Sequence, residues 1–348
     1  MREPAFWRRH SGAAARLLAP AAACYGAVSS WRMAQPGCRA LLPVICVGNF
    51  TIGGAGKTPA AIAIAKLMIA AGRRPFFLSR GYGGRLRGPV LVDAQLADQV
   101  GDEPLLLARF APTIVSRDRP AGAAAAVMAS ADLIIMDDGL QNPSLIKDFS
   151  IAVVDGRSGI GNGRVFPAGP LRAPLEAQLD RVDAVLIVGT AGAACDRAAG
   201  AARQRGLPVF HGELRPDPRV AVALSGKRVL AFAGIADPGK FFATLETCGV
   251  LVAARQGFPD HHRYRASEIA ALLARADCDK LDLVSTEKDL ARMSGDPTAV
   301  ELLARAWSLP VTLVLRPEDR VGPILLGAVA AGVERAAALS RNAPDKDA

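Results

Sequence analysis

The sequence predicts an α/β fold in two units, preceded by a basic N-terminal helix. Short apolar runs alternate with Ala- and Leu-rich helical stretches, which is typical of a parallel sheet covered on both faces. The chain has 348 residues, enough for one or two domains of about 100–200 residues. Hydrophobic residues make up 51% and charged residues 22%, a globular balance that excludes disorder along the whole chain.

Residues 1–36 are predicted to form a basic amphipathic helix that lies on a membrane surface. Residues 1–40 contain six arginines and one acidic residue, an excess of five out of the net charge of +9. Each arginine near anionic lipid contributes about 1 kcal/mol of attraction, and apolar or aromatic side chains anchor such a helix. The candidate anchors are Phe6, Trp7, Leu17, Leu18, Tyr25, Val28 and Trp31.

Three other interpretations of this segment stay open. A helix packed on the protein's own body would use the same apolar face. A secretory signal fits the basic start, although Arg16 and Pro20 interrupt the apolar region. A membrane-spanning helix fits less well, because the uncharged run over residues 17–31 is shorter than the ~18–20 residues that a span requires.

Residues 37–208 are predicted to form the larger α/β unit. Its apolar runs are bounded by Gly, Pro and polar turn residues, as expected for buried strands. The predicted strands are residues 44–47, 76–78, 90–92, 133–136, 151–154 and 185–188, and the predicted helices are residues 59–72, 103–110 and 120–130. Pro59 and Pro120 fall in first helical turns, where proline is tolerated.

A smaller α/β unit is predicted over residues 209–340, followed by a polar tail at 341–348. Residues 207–220 carry three prolines and no helical period, so they are predicted to form a linker. The predicted strands of this unit are residues 229–232, 281–285 and 311–315, and its helices are residues 241–248 and 266–275.

Residues 48–58 read GNFTIGGAGKT and carry the clearest chemical signal in the chain. Their end matches the phosphate-binding pattern G-x-x-x-x-G-K-[ST], although Thr51 stands at the first glycine. Backbone N–H groups and the helix N-terminus would hold phosphate, with Lys57 on the β/γ-phosphates and the Thr58 hydroxyl on Mg²⁺. The residues assigned to the nucleotide are Thr51, Ile52, Gly53, Gly54, Ala55, Gly56, Lys57 and Thr58.

A second signal follows the apolar run 133–136, which ends in Asp137 and Asp138. A carboxylate at the end of such a strand binds magnesium directly or through water in P-loop NTPases. The two signals together predict a P-loop NTPase-type parallel-sheet domain that binds a nucleotide.

Three further polar groups have both a functional and a structural interpretation. Asp102 opens a helix, where it could belong to a site or be an N-cap with an acidic first turn. His261 and His262 are adjacent in a loop, where they could form a site or ordinary surface. The stretch TEKD at 286–289 could belong to a site or begin a helix with a capping Thr or Ser.

Cysteine spacing and charge distribution exclude two other classes of protein. No two of the six cysteines have C-x-x-C spacing, and no Cys/His cluster has zinc spacing, so reduced thiols in a cytosolic protein are predicted. Basic residues beyond the N-terminus do not cluster with aromatic residues, so no nucleic-acid partner is expected.

Seven blocks together resemble the tetraacyldisaccharide 4'-kinases, the lipid A kinases of Gram-negative bacteria. In chain order they are GNFTIGGAGKTP, FLSRGYGG, VGDEPLLLA, DDGLQN, GNGRVFPAGPLR, FPDHHRY and STEKD. The resemblance implies two α/β/α domains joined by a β-ribbon. It also implies transfer of the γ-phosphate of ATP, with Mg²⁺, to the 4'-hydroxyl of a tetraacylated glucosamine disaccharide 1-phosphate. The N-terminal helix would then dock a peripheral monomer on the cytoplasmic face of the inner membrane.

The resemblance also implies roles for single residues. Asp102 matches the family's general base, His261 its orienting partner, and Lys57 the phosphate-binding lysine, so these three are the predicted catalytic residues. The predicted metal-site residues are Thr58, Asp137, Asp138 and Gln141. Arg80, Tyr82 and Arg172 lie in blocks that would face phosphates or substrate.

The chain departs from the family after PAGPLR. Many members have Glu near the metal at the position of Ala173, and the nearest acid here is Glu176. No metal role is transferred to either residue.

Two rival functions stay open on the residues alone. One is a membrane-recruited P-loop switch, although no guanine-reading N-K-x-D motif is present. The other is a cytosolic kinase of a small metabolite, with a merely structural N-terminal helix.

Overall fold

The computed structural model describes residues 4–8 and 12–341. The predicted tail at 342–348 and the charges of Arg2, Glu3 and Arg9 lie outside the described residues. The strands are β1 Val44–Asn49, β2 Pro75–Ser79, β3 Val90–Leu91, β4 Thr113–Val115, β5 Leu133–Asp137, β6 Phe149–Asp155, β7 Ala184–Val188, β8 Val209–Pro216, β9 Arg228–Ala233, β10 Leu251–Gly257, β11 Asp282–Ser285, β12 Trp307–Ser308 and β13 Val311–Leu315.

The helices alternate with these strands through most of the chain. They are α1 Ala13–Leu17, α2 Ala19–Met33, α3 Lys57–Ala70, α4 Ala97–Val100, α5 Asp102–Ala108, α6 Arg119–Met128, α7 Leu175–Leu179, α8 Ala193–Gln204, α9 Pro218–Leu224, α10 Pro238–Thr247, α11 Ala266–Asp279, α12 Glu287–Met293, α13 Val300–Arg305 and α14 Val321–Arg341. Within the described ranges, three 3₁₀ helices cover Ala5–Arg8, Pro297–Ala299 and Pro317–Asp319.

Nine strands form the larger sheet, in the order β13-β8-β7-β6-β1-β5-β2-β4-β3. The seven strands from β8 to β4 pair in parallel, and the two edge strands pair antiparallel. Helices α3, α5 and α14 cover one face, and α6 and α8 cover the other. The predicted α/β class, with a P-loop-type parallel sheet and a second smaller sheet, is therefore confirmed.

Four parallel strands form the smaller sheet, in the order β10-β9-β11-β12. One of its faces packs on α11 through Leu230, Phe232 and Leu272. The other packs on α10 through Phe242 and Leu245. The loop before α11 and helix α12 extend from this sheet and contact α5 of the larger unit.

Two long-range pairings differ from the predicted boundaries. Residues 207–220 are not a linker, since Val209–Pro216 is β8 and pairs with β7. The strand predicted at 311–315 pairs with β8 in the larger sheet, and α14 packs on α3. Strand β8 is half-exposed with prolines at its ends, so it lacks the continuous apolar pattern of a buried strand. The smaller sheet consequently spans residues 228–308.

The N-terminal segment has one side on the protein body and one side exposed. Trp7, an expected lipid anchor, is instead buried and donates its indole N–H to the Pro167 carbonyl at 3.1 Å. Leu17, Val28 and Trp31 are exposed by 82%, 57% and 65%. The segment thus combines packing on the body with an apolar exposed face, and its docking on a membrane stays a prediction.

Helix α14 is the one helix among the described residues that is long and apolar enough to cross a membrane. Val321, Leu325 and Val329 recur at helical spacing and are buried against the larger sheet. One face of α14 therefore packs on the sheet, while 28% of its most apolar stretch is buried.

Candidate active site

Strand β1 and helix α3 hold the phosphate-binding loop between them. β1 ends at Asn49 and α3 begins at Lys57, each two residues from the predicted bound, so the predicted strand–loop–helix order is present. Gly56 precedes the helix at φ +86°, and a Cβ there would lie 3.3 Å from a Val188 methyl carbon, so the position favours glycine. Unpaired N–H groups of the first helical turn bind phosphate, and buried Lys57 and Thr58 begin that turn.

Residues 170–172 form a strap along the start of this loop. The Ile52 N–H donates to the Pro170 carbonyl at 2.8 Å, and Arg172 Nε donates to the Thr51 carbonyl at 2.9 Å. Arg172 also forks onto Asp138, with Nη1 at 2.9 Å and Nη2 at 3.1 Å from its two oxygens. The loop is therefore tied to the end of β5 through a single guanidinium group.

Asp138 is held as an ionised carboxylate. It follows β5 at φ +52°, a left-handed conformation that is uncommon for a residue other than glycine. Besides Arg172, the Lys57 ammonium lies 3.8 Å away. Burial alone would raise the pKa of Asp138, but these two cations outweigh it and hold that pKa below its usual range.

Asp137 has the opposite electrostatic environment. It is buried at the end of β5, and its Oδ1 has no hydrogen-bond partner among the described residues. Burial, followed by the neighbouring charges of Glu103 and Asp138, raises the pKa of Asp137 to about 7. An orphaned buried carboxylate oxygen with this pKa is a position at which a cation would bind favourably.

These residues fit a magnesium ion that is shared with a nucleotide. Thr58 Oγ1 lies 3.4 Å from Glu103 Oε1, and the charge of Glu103 also raises the pKa of Asp137. Within the described part of the chain no three His, Cys, Asp or Glu side chains form a metal cluster. Mg²⁺ usually takes one or two protein oxygens and completes its shell with phosphates and water, so Thr58 and Asp137 suffice.

Gln141 lies in an amide network beside the same strap. Its Nε2 donates to the Asn49 carbonyl and to Gln178 Oε1, both at 2.8 Å, and its Oε1 accepts from Arg172 at 3.4 Å. Gln178 is fully buried and donates in turn to the Ala173 carbonyl at 2.7 Å. The network orients the Gln141 oxygen toward Arg172, next to Asp138.

Two residues singled out in the sequence lie away from this centre or in structural positions, and a third lies near it. Glu176 pairs with Arg205 on the surface, so it does not replace the family's acid near the metal. Arg80 is exposed just after β2, and its charge acts on Arg119, so its role toward phosphates or substrate stays a prediction. His262 lies 2.8 Å from Glu268 and belongs to the packing of the loop before α11.

Asp102 and His261 meet across the two units. Asp102 is the first residue of α5, with Gly101 as its N-cap, and lies 3.2 Å by Oδ1 from His261 Nδ1. Burial would raise the pKa of Asp102, but the His261 hydrogen bond and the Arg292 charge outweigh it and hold that pKa far below its usual range. The same hydrogen bond raises the pKa of His261.

Helix α12 contributes two cations, of which Lys288 belongs to the stretch TEKD and Arg292 was not predicted. Arg292 contacts Asp102, with Nη2 at 2.5 Å from Oδ2, and Lys288 contacts Glu103 at 2.8 Å. Thr286 caps this helix, as its structural interpretation predicts. The sequence block ended at Asp289, but Lys288 and Arg292 stand at the i, i+4 spacing of one helical face, which was the available signal.

A cavity of about 320 Å³ opens beside the Asp102–His261 pair. Its lining includes Tyr82, Leu96, Asp102, His261, Arg263 and Arg292. The Tyr82 ring meets the His261 ring edge to face, with centroids 5.4 Å apart. The cavity therefore lies where an acceptor could reach the carboxylate–imidazole pair.

A phosphate-binding loop, a buried carboxylate suited to a cation and an Asp–His pair beside a cavity define the class: a P-loop phosphotransferase. The family model described as tetraacyldisaccharide-1-P 4'-kinase matches residues 14–329. The chain belongs to this family, which confirms the resemblance seen in its motifs and the kinase activity that the resemblance implies.

Individual relatives agree with the family match. The tetraacyldisaccharide 4'-kinase of Rhodopseudomonas palustris (strain BisA53) is 53% identical over 92% of this chain and 94% of its own. That of Methylobacterium sp. (strain 4-46) is 57% identical over 92% and 95%. The crystal structure of the Aquifex aeolicus protein LpxK in complex with ATP superposes with a TM-score of 0.70 at 24% identity. It covers 90% of this chain and 99% of its own, and it supports the fold.

Proposed function

We infer that the chain transfers the γ-phosphate of ATP to the 4'-hydroxyl of a tetraacylated glucosamine disaccharide 1-phosphate, the kinase step of lipid A biosynthesis. Family membership supports the reaction and its acceptor. The observation that carries the mechanism is the Asp102–His261 contact, which joins one residue of each unit beside the phosphate loop.

The loop and its lysine bind and neutralise the nucleotide phosphates. The first turn of α3 supplies N–H groups, and buried Lys57 supplies a cation held 3.8 Å from Asp138. Thr58 and Asp137 would hold Mg²⁺, which when bound neutralises charge on the phosphates. Arg172 keeps Asp138 and Gln141 beside this centre, where both act as supports of the loop and stay candidates for the metal site.

Asp102 accepts the proton of the acceptor hydroxyl as the new O–P bond forms. Positioned bases of this kind contribute about 10²–10⁴-fold to a rate. His261 donates its Nδ1–H to the carboxylate and orients it, and the adjoining cavity gives the sugar a place to lie. Because the two residues belong to different units, the pair is complete only when the units are seated together.

The lipid acceptor places the enzyme at a membrane. Leu17, Val28 and Trp31 form an exposed apolar set on and beside α2, with Arg16 and Arg32 in the same segment. These side chains are suited to an anionic interface. A peripheral monomer on the cytoplasmic face of the inner membrane follows as part of the proposal.

The test is transfer of label from γ-labelled ATP to tetraacyldisaccharide 1-phosphate in mixed micelles. Lys57→Ala should abolish labelling of the lipid. Lys66→Ala is the matched control, because Lys66 lies on the same helix, over the Phe110 ring and outside the loop. ATP consumption without labelled lipid would reject the acceptor and favour a P-loop switch.

A further inference from the structure

Helix α12 and helix α5 meet through two adjacent ion pairs. Lys288 and Arg292 are four residues apart and so share one face of α12, while Asp102 and Glu103 are the first two residues of α5. Lys288 Nζ lies 2.8 Å from Glu103 Oε1, and Arg292 Nη2 lies 2.5 Å from Asp102 Oδ2. We name these four residues the α12–α5 clasp, and it joins the smaller unit to the larger one.

The clasp determines the orientation of the Asp102 carboxylate. Oδ1 lies 3.2 Å from His261 Nδ1 and accepts from the Glu103 N–H at 3.1 Å. Oδ2 accepts from both Nη2 and Nε of Arg292, the latter at 3.2 Å. Each oxygen therefore has two donors, and donors on both oxygens together fix the orientation of the carboxylate as well as its position.

Arg292 is itself held in place independently of Asp102. Its side chain is 8% exposed, and Nη1 donates to Asp289 Oδ1 at 2.8 Å and to the Gly234 and His262 carbonyls at 3.2 and 3.3 Å. The Tyr264 hydroxyl donates to the same Asp289 oxygen at 2.9 Å. The smaller unit thus presents a rigid guanidinium group to the carboxylate.

Stability alone is a weak reason for such an arrangement, because buried ion pairs often contribute little compared with well-packed apolar residues. We propose that Arg292 is a positioning residue for phosphoryl transfer. Its guanidinium group fixes the Asp102 carboxylate toward the acceptor hydroxyl, and α12 delivers it only when the smaller unit is seated on α5. The proposal rests on the proposed function, in which Asp102 is the base.

The charged groups around Asp102 predict how its pKa changes when Arg292 is removed. The groups that face it are Glu103 on α5, Lys288, Asp289 and Arg292 on α12, and Asp260 and His261 in the loop before α11. The Arg292 charge opposes the effect of burial, which raises the pKa of Asp102. Loss of Arg292 therefore moves the pKa of Asp102 upward, and a base that must be deprotonated then loses activity at a higher pH.

The experiment compares full-length Arg292→Ala and Arg292→Lys with wild type, using lipid phosphorylation from pH 4.5 to 9. For Arg292→Ala we expect kcat to fall about 100-fold, with the KM for ATP within twofold. In wild type the acid limb due to Asp102 lies below this pH range, and in Arg292→Ala it should move toward it. Arg292→Lys should recover part of the rate because it keeps the positive charge. It should not recover all of the rate, because lysine lacks the paired Nε and Nη2 donors. Arg305→Gln is the control, since Arg305 pairs with Glu301 and Asp277 on the surface.

Added guanidinium ion gives a readout that a merely structural role would not change. Arg292 lines the 320 Å³ cavity, so millimolar guanidinium can enter beside Asp102 and restore part of the Arg292→Ala rate. An unchanged kcat, or a lowered kcat with no rescue by guanidinium or by Arg292→Lys, would overturn the proposal. Asp102→Ala is measured in parallel, because full activity of that variant would instead overturn the assignment of Asp102 as the base.

Discussion

Replacing Asp137 by Asn should stabilise the protein at pH 8 in the absence of magnesium and nucleotide. The carboxylate is buried, its Oδ1 lacks a partner among the described residues, and its pKa is raised from 3.8 to about 7. Since one pKa unit corresponds to about 1.4 kcal/mol, holding this group ionised in the folded state costs up to about 4 kcal/mol. The amide removes that cost and keeps the size of the side chain.

The pH dependence follows from the direction of the pKa change. Between pH 4 and 7 the folded protein binds more protons at Asp137 than the unfolded chain does, so its stability falls as the pH rises. Above pH 7 the cost is fully present, and near pH 4 it is nearly absent. Asp137→Asn should accordingly raise the unfolding temperature at pH 8 and leave it nearly unchanged at pH 4.

Asp138→Asn is the matched control, because the neighbouring carboxylate has the opposite environment. Its pKa lies below the usual range as a result of Lys57 and Arg172, which outweigh burial, so its ionised form contributes stability above about pH 4. This variant should lower the unfolding temperature at pH 8, as measured by thermal unfolding in magnesium-free buffer. Equal shifts in both variants would refute the account of Asp137. With Mg²⁺ and nucleotide added, wild type should gain more stability than Asp137→Asn.

Three further predictions follow from the site and the N-terminal segment. Asp102→Ala and His261→Ala should each lower kcat by about 10²–10⁴-fold with little change in ATP affinity, measured by steady-state kinetics and nucleotide binding; equal loss of ATP binding would contradict this role. Gly56→Ala should weaken ATP binding in calorimetry, because a Cβ at φ +86° costs about 1–2 kcal/mol. Trp31→Ser should reduce sedimentation with anionic vesicles. Met128→Ser is the control, because Met128 is also exposed, and it should leave sedimentation unchanged.

The phosphate-binding loop and its flanking elements could be predicted from the sequence because their signals are local. The strand before the loop and the helix after it occur within two residues of the predicted bounds, and the acids follow β5 as expected. Glycine spacing, apolar runs and a following lysine are contiguous in the chain. The structure adds that Asp137 and Asp138 have opposite environments, a difference that depends on Arg172, 34 residues beyond Asp138.

Long-range relations could not be predicted from local pattern. The strand at 311–315 was expected in the smaller sheet, but its partner is β8, almost a hundred residues earlier. The contact between Asp102 and His261 spans 159 residues and was expected only from the family resemblance. Arg292 was missed because its significance lies in the carboxylate that it reaches, 190 residues away.

The two units divide the proposed chemistry unevenly. The larger unit carries the loop, Thr58, Asp137 and Asp102, so it holds every group assigned to the nucleotide and also the proton acceptor. To the proton transfer the smaller unit supplies groups at the acidic start of α5, namely His261 and the two cations of α12. Substitutions of these three residues should therefore act on the rate of transfer more than on nucleotide affinity. The base becomes oriented only through docking of the smaller unit, so hydroxyl activation is tied to closure of the cleft around its substrates.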